Sequence, residues 1–150
     1  MLRLRGRALG RRGMAAVEFA IAAGFLSIAM VGLYDFGRAS WTRMQVVSAA
    51  HVGAAFAAAH GFNANLIATA VTSSSSLATL AATPAPATVC GCPSGSAGVA
   101  FVACGSACAD GGGAGTYVRV NARGTYSFTF SYPLVSNPLV LSATALTRIQ

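Results

Sequence analysis

Carboxylates are almost missing from this chain: Glu18, Asp35 and Asp110 are its only acidic side chains in 150 residues. General acid–base catalysis needs titratable groups poised beside the reacting atom, so a paired acid–base site has almost nothing to draw on. His51 and His60 are far apart in an alanine-rich stretch, as solvated or packed side chains are. There is no Gly-x-Ser-x-Gly elbow, no phosphate-binding loop and no His-Glu-x-x-His motif. Gly111, Gly112, Gly113 and Gly115 do not follow a strand at the spacing a nucleotide loop requires, and they read as a flexible loop. These absences argue against an enzyme. No catalytic residue, metal, cofactor or small-molecule substrate is expected.

Charge of either sign is scarce. Charged residues make up 9% and hydrophobic residues 55% of the chain, whereas charged residues form about a quarter of an ordinary soluble domain. Alanine, glycine, serine and threonine supply much of the bulk, so the composition indicates one membrane span plus a small, plain domain. The length leaves room for one globular domain, not two.

The net charge of +7 looks like a nucleic-acid signal until it is mapped. Arg3, Arg5, Arg7, Arg11 and Arg12 precede an apolar run, and the rest of the chain sets five arginines against three carboxylates. The basicity therefore belongs to a leader at residues 1–13. Arginines flanking a span stay on the cytoplasmic side, and nucleic-acid binding, which needs a basic stripe on a folded surface, is not expected.

Phe19 to Tyr34 is uncharged. With Met14 to Val17 added, the run reaches the roughly 20 residues that a helix rising about 1.5 Å per residue needs to cross a bilayer core. Glu18 is the one charge inside it, and Asp35 marks the far end, followed by Arg38 and Arg43. A cleaved secretory signal has a shorter apolar part and a small-x-small site after it; here Asp35-Phe36-Gly37-Arg38 follows. A plain uncleaved anchor stays open. So does a third reading, in which Gly13 sits at the junction of leader and apolar helix with Glu18 five residues on. That arrangement resembles the type IV prepilin processing site, where a membrane peptidase cuts after the glycine on the cytoplasmic side. The resemblance implies a mature chain starting at Met14, with Glu18 as its fifth residue. A lone carboxylate in an apolar helix is costly and marks function; the α-amino group of Met14 on an adjacent subunit is a suitable partner, because pairing offsets the desolvation of both charges.

The segment RRGMAAVEFAIAAGFLSIAMVGLYDFGRASWTRMQVVSAAHVGAAFAA resembles the TadE-like family of the tight-adherence (Flp, type IVb) pilus systems over roughly residues 11–60. The matching elements are Arg-Gly followed by Ala-Val-Glu-Phe, an apolar helix, Asp-Phe-Gly-Arg, and an alanine-rich helix with paired small residues. The resemblance implies a minor pseudopilin that helps assemble the pilus and is not its bulk subunit. Implied partners are other pilus subunits and assembly proteins, a prepilin peptidase and the bacterial inner membrane. The chain would cross that membrane once, N-terminus cytoplasmic and C-terminal domain periplasmic or extracellular.

Residues 14–35 are thus expected to form a transmembrane helix and 36–60 its extramembrane continuation. Phe36, Trp41, Met44, Val47, Ala54 and Ala55 recur near helical spacing, with Arg38, Thr42, Arg43, Gln45 and Ser48 mostly between them. Gly61 is placed to stop the helix. Ala49, Ala50, Gly53, Ala54 and Ala57 would allow close helix approach. Asn63 is a cap for a second helix carrying Leu66, Ile67, Ala70, Val71, Leu77 and Leu80, weakened at Ser73 to Ser76, and the prolines at 84 and 86 end any helix. Three strands are expected at Thr116 to Ala122, Thr125 to Tyr132 and Leu139 to Arg148. In the middle one Tyr126, Phe128, Phe130 and Tyr132 alternate with Ser and Thr, the pattern of a sheet with one buried face.

Cysteines stand as Cys90-x-Cys92 and Cys104-x3-Cys108. Zinc ribbons prefer Cys-x2-Cys knuckles, whereas a small extracytoplasmic domain needs staples, so two disulfides are expected. A bridge from Cys90 to Cys92 would be strained, so each bond links the first pair to the second; both such pairings remain open. A closed loop of about 15 residues contributes roughly 3 kcal/mol on the chain-entropy account. The expected fold is α+β and pilin-like: a long N-terminal transmembrane helix, a second helix and a small antiparallel sheet, with residues 61–150 forming an extracytoplasmic disulfide-bonded domain. The rival from another class is a membrane-anchored periplasmic metal-binding or redox module.

Overall fold

The structure, a computed structural model, describes residues 12–94 and 98–149, without the Arg12 side chain. The expected leader, with Arg3, Arg5, Arg7 and Arg11, lies outside the described residues apart from its last two positions. The chain forms two compact units, one ending at Arg38 and the other beginning at Ala39. Helix α1 (Arg12–His60) contributes to both.

In the first unit, α1 has no proline and alanine is its commonest residue; the helix runs unbroken through Gly24, Gly32 and Gly37. Ser27 Oγ donates to the Ala23 carbonyl at 2.8 Å, so its hydroxyl is satisfied within the helix. Large apolar side chains stand open on every side: Phe19, Ile28, Met30 and Leu33 are each about three-quarters exposed. None of the apolar window is buried, unlike the core helix of a soluble protein. Each Å² of such surface left in water forgoes about 25 cal/mol, so this segment is suited to lipid or to other helices.

In the second unit, α1 ends at His60, where Gly61 takes φ +77° and its N–H bonds the Ala57 carbonyl at 2.9 Å; a left-handed glycine terminates the helix at no steric cost. Asn63 then caps α2 (Ala64–Ser73), its Oδ1 accepting from the Leu66 N–H at 3.2 Å. The serines end α2 outright. Ser74 Oγ donates to the Val71 carbonyl at 2.6 Å and Ser75 Oγ to Gln45 Oε1 at 2.9 Å, so side chains compete with the helical ladder. Leu80 still reaches the core, and Leu77 packs against it, from an irregular segment instead of the expected helix.

Four strands follow: β1 (Ala87–Ser94), β2 (Gly98–Phe101), β3 (Gly115–Tyr126) and β4 (Leu139–Arg148). They form one sheet in the order β2-β1-β3-β4, with every neighbouring pair antiparallel. The architecture is α+β, with two helices, a small antiparallel sheet and two disulfides. Strand β4 has the expected bounds. The expected strand Thr125 to Tyr132 does not form: β3 runs without a break through Arg123-Gly124 to Tyr126, and residues 127–138 leave the sheet. Arg123 is held inside the strand by reciprocal 2.8 Å backbone bonds with Ala81. A Cβ on Gly124 would lie 3.0 Å from both Leu77 and Val46 side-chain atoms, so this glycine is an inward strand position, not a turn. The alternating aromatics instead make a compact cluster. Phe128 is buried, with ring centroids 5.1 Å from Tyr126 and 5.4 Å from Tyr132, both edge-on, whereas Phe130 is exposed. Asn137 closes this loop by pairing its amide with the Phe128 backbone at 3.1 and 3.2 Å.

Along β3, Val118, Val120, Ala122 and Gly124 point inward while Arg119 and Arg123 point outward. The inward set meets Val46, Ala50 and Ala54 of α1 and Ile67 and Val71 of α2 in one core. Small residues on α1 let the three elements come close. Gly53 is the tightest position, its missing Cβ leaving room for Val71 and Val120.

Candidate functional site

The N-terminal turns of α1 carry the residues singled out by the sequence. Gly13 is already helical, and a Cβ there would meet nothing within 4 Å. Met14 is 64% exposed. Glu18 lies four residues on, on the same helix face. It is exposed, without a hydrogen bond or ion pair among the described residues, and its neighbours Val17, Phe19 and Ile21 are exposed apolar side chains. A carboxylate in such a belt is stable in lipid only when protonated, drawn to the interface or paired with a cation. The geometry that would make Gly13 and Met14 a cleavage site, or Glu18 an assembly contact, depends on molecules other than this chain.

At the far end of the apolar run, Arg38 Nη1 donates to the Tyr34 hydroxyl at 3.1 Å, and its guanidinium lies 5.7 Å from the Tyr34 ring centroid. Tyrosine and arginine at the edge of a span anchor it at the headgroup level. Asp35, which the sequence offered only as the end marker of that run, is fully buried at 0% exposure. Among the described residues no buried side-chain nitrogen or oxygen lacks a hydrogen-bond partner, so this carboxylate is a satisfied structural group. Nothing in the residues around it distinguishes a buried aspartate from a solvated one.

Cys90 and Cys92 alternate with Gly91 on β1 and so face the same side of the sheet. Cys90 bonds Cys104 with Cα atoms 5.1 Å apart, and Cys92 bonds Cys108 at 5.6 Å, both in the usual range for a disulfide. Together they pin the loop between β2 and β3, whose turns use Gly105 and Gly111 at positive φ and close through an Ala107–Gly113 bridge. With all four sulfurs bonded, no thiolate remains to ligate a metal. Among the described residues no group of three or more His, Cys, Asp or Glu side chains comes together. A shallow hollow beside α1 and α2, lined by Val52, Phe56, Leu66, Thr69 and Ala70 among others, has no titratable side chain. The chemistry on view is anchoring, stapling and packing.

Residues 13–55 match the family model of TadE-like proteins. The match ends within α1, so the second helix, the sheet and the cysteines lie beyond it. No curated protein and no solved structure matches the chain.

Proposed function

We propose that this chain, TadE-like over residues 13–55, is a minor pseudopilin of a tight-adherence pilus system that acts by protein–protein contact. The observation that carries the reading is one coincidence: the matched residues are the stretch of α1 that holds the exposed apolar run and its lone carboxylate, Glu18. In this reading residues 1–13 are a leader removed by a prepilin peptidase between Gly13 and Met14. Residues 14–35 then cross the inner membrane from a cytoplasmic N-terminus, 36–60 continue the helix beyond it, and 61–150 form the domain on the far side. Two disulfides suit an oxidising compartment, which supports that orientation. Glu18 pairs with the amino group of a neighbouring subunit's Met14, and the folded domain contacts other assembly proteins. The test is genetic and biochemical. A strain lacking this chain should form no pili, wild-type chain should restore them, and the tagged chain should co-purify from membranes with other pilus proteins. Normal piliation without it would overturn the reading.

A further inference from the structure

Cross-strand partners share a face of a sheet, so the β3–β4 register gathers the exposed arginines of the second unit. Arg119 pairs with Leu146, Arg123 with Ser142, and Arg148 with Tyr117. Arg119, Arg123 and Arg148 are thus on one face, opposite the core, and all three are exposed. The same parity carries across β1 to Phe101 of β2, whose ring centroid is 6.0 Å from the Arg119 guanidinium. Phe101, Val140 and Leu146 stand exposed among these arginines. No strand contributes a carboxylate: the chain's three acidic side chains are on α1 and in the loop after β2.

We propose that this outer sheet face is a docking surface for an acidic segment of a partner protein. Arginine and aromatic side chains are enriched in protein interfaces, and this face exposes three arginines and Phe101. Arginine's planar fork fits carboxylates two bonds at a time. A second copy docked face to face does not fit, because it would bring the same arginines and no strand carboxylate, and the exposed loop carboxylate Asp110 offers a single charge against three arginines. An anionic membrane is disfavoured by number, since lipid-binding clusters use about 4–8 basic residues and this face holds three. The proposal deepens the assembly reading and rests on it for the partner being an assembly protein; the charge argument does not depend on it.

The test uses the full-length chain in its own cells, with Ser142 replaced by the photo-cross-linker benzoylphenylalanine and the product sequenced. Ser142 is exposed and lies opposite Arg123. The expected product joins a different protein through a peptide holding two or more Asp or Glu. It should fall at least tenfold in R119E/R123E and persist in R119K/R123K, with disulfides and membrane level unchanged in both. If R119E/R123E fails to accumulate, R119Q/R123Q is read in its place, with the same loss expected. Cross-links only to lipid, to a second copy or to a peptide without carboxylates, no cross-link, or one unmoved by losing the charge, would each overturn the proposal. An acidic cross-link in cells that pilate normally without this chain would sink the pilus reading alone; normal Glu18-dependent assembly without the cross-link would sink this one alone.

Discussion

Gly53 of α1 and Val71 of α2 approach so closely that a methyl group on Gly53 would lie 2.5 Å from Val71 Cγ2, and 2.8 Å from Val120 Cγ1 of β3. Helix, helix and sheet meet at this one α-carbon. Within a helix, glycine to alanine ordinarily gains up to about 1 kcal/mol, but overpacking a core costs about 1–3 kcal/mol. Gly53→Ala should therefore lower the stability of the second unit by about 1–2 kcal/mol, while Gly37→Ala, where a Cβ meets nothing within 4 Å, should be neutral or stabilising. Thermal unfolding in detergent, followed by circular dichroism, measures the two signs. Equal effects would mean that the close approach is not real.

The disulfides give a second prediction. The denatured, unreduced protein should titrate no free thiols and migrate faster than the reduced form. Removing one bridge by Cys92→Ser with Cys108→Ser opens a loop of sequence separation 16 and should cost roughly 3 kcal/mol. Four titratable thiols with bound zinc would restore the metal-module reading.

The turn between the helices gives a third. Asn63 supplies the side-chain acceptor at the start of α2, so Asn63→Ala should cost about 1 kcal/mol and Asn63→Asp much less. Chemical denaturation of the three proteins side by side checks the order; no difference between Ala and Asp would remove the cap from the account.

Processing gives a fourth. Mass spectrometry of the membrane-purified chain should find Met14 at the N-terminus, and Gly13→Val should retain the leader. A full-length chain in a cell with active prepilin peptidase would leave a plain anchor.

Where local pattern and tertiary structure agree, the sequence alone was enough. The uncharged run, the alanine-rich continuation and Gly61 mark α1 to its last residue, and Leu139 to Arg148 reads as a strand bounded by Pro138. Elsewhere the third dimension decides. Arg123-Gly124 has the composition of a turn, yet the backbone bonds to Ala81 and the space beside Val46 keep it in a strand. Strand β1 is rich in Gly, Cys, Pro and Ser, not in the β-branched and aromatic residues that favour strands, and is held by two disulfides and by pairing with β3, while the short β2 is held by pairing with β1. Gly13 and Glu18 stand out by type and position in a linear reading. The arginine face does not: Arg119 and Arg148 become neighbours only once the β3–β4 register is known.

Glu18 tests the central claim, that α1 serves assembly. It is exposed in an apolar belt and holds no folded element together, so Glu18→Ala and Glu18→Gln should both insert, mature and form disulfides normally. An unpartnered charge in a low-dielectric site costs several kcal/mol, so loss of the pairing should be felt only where subunits meet. The measurement is the amount of pilus on cells carrying each variant, normalised to the membrane level of the chain. Piliation sharply reduced in both variants, at unchanged membrane level, is the predicted result; wild-type piliation in both would contradict the account.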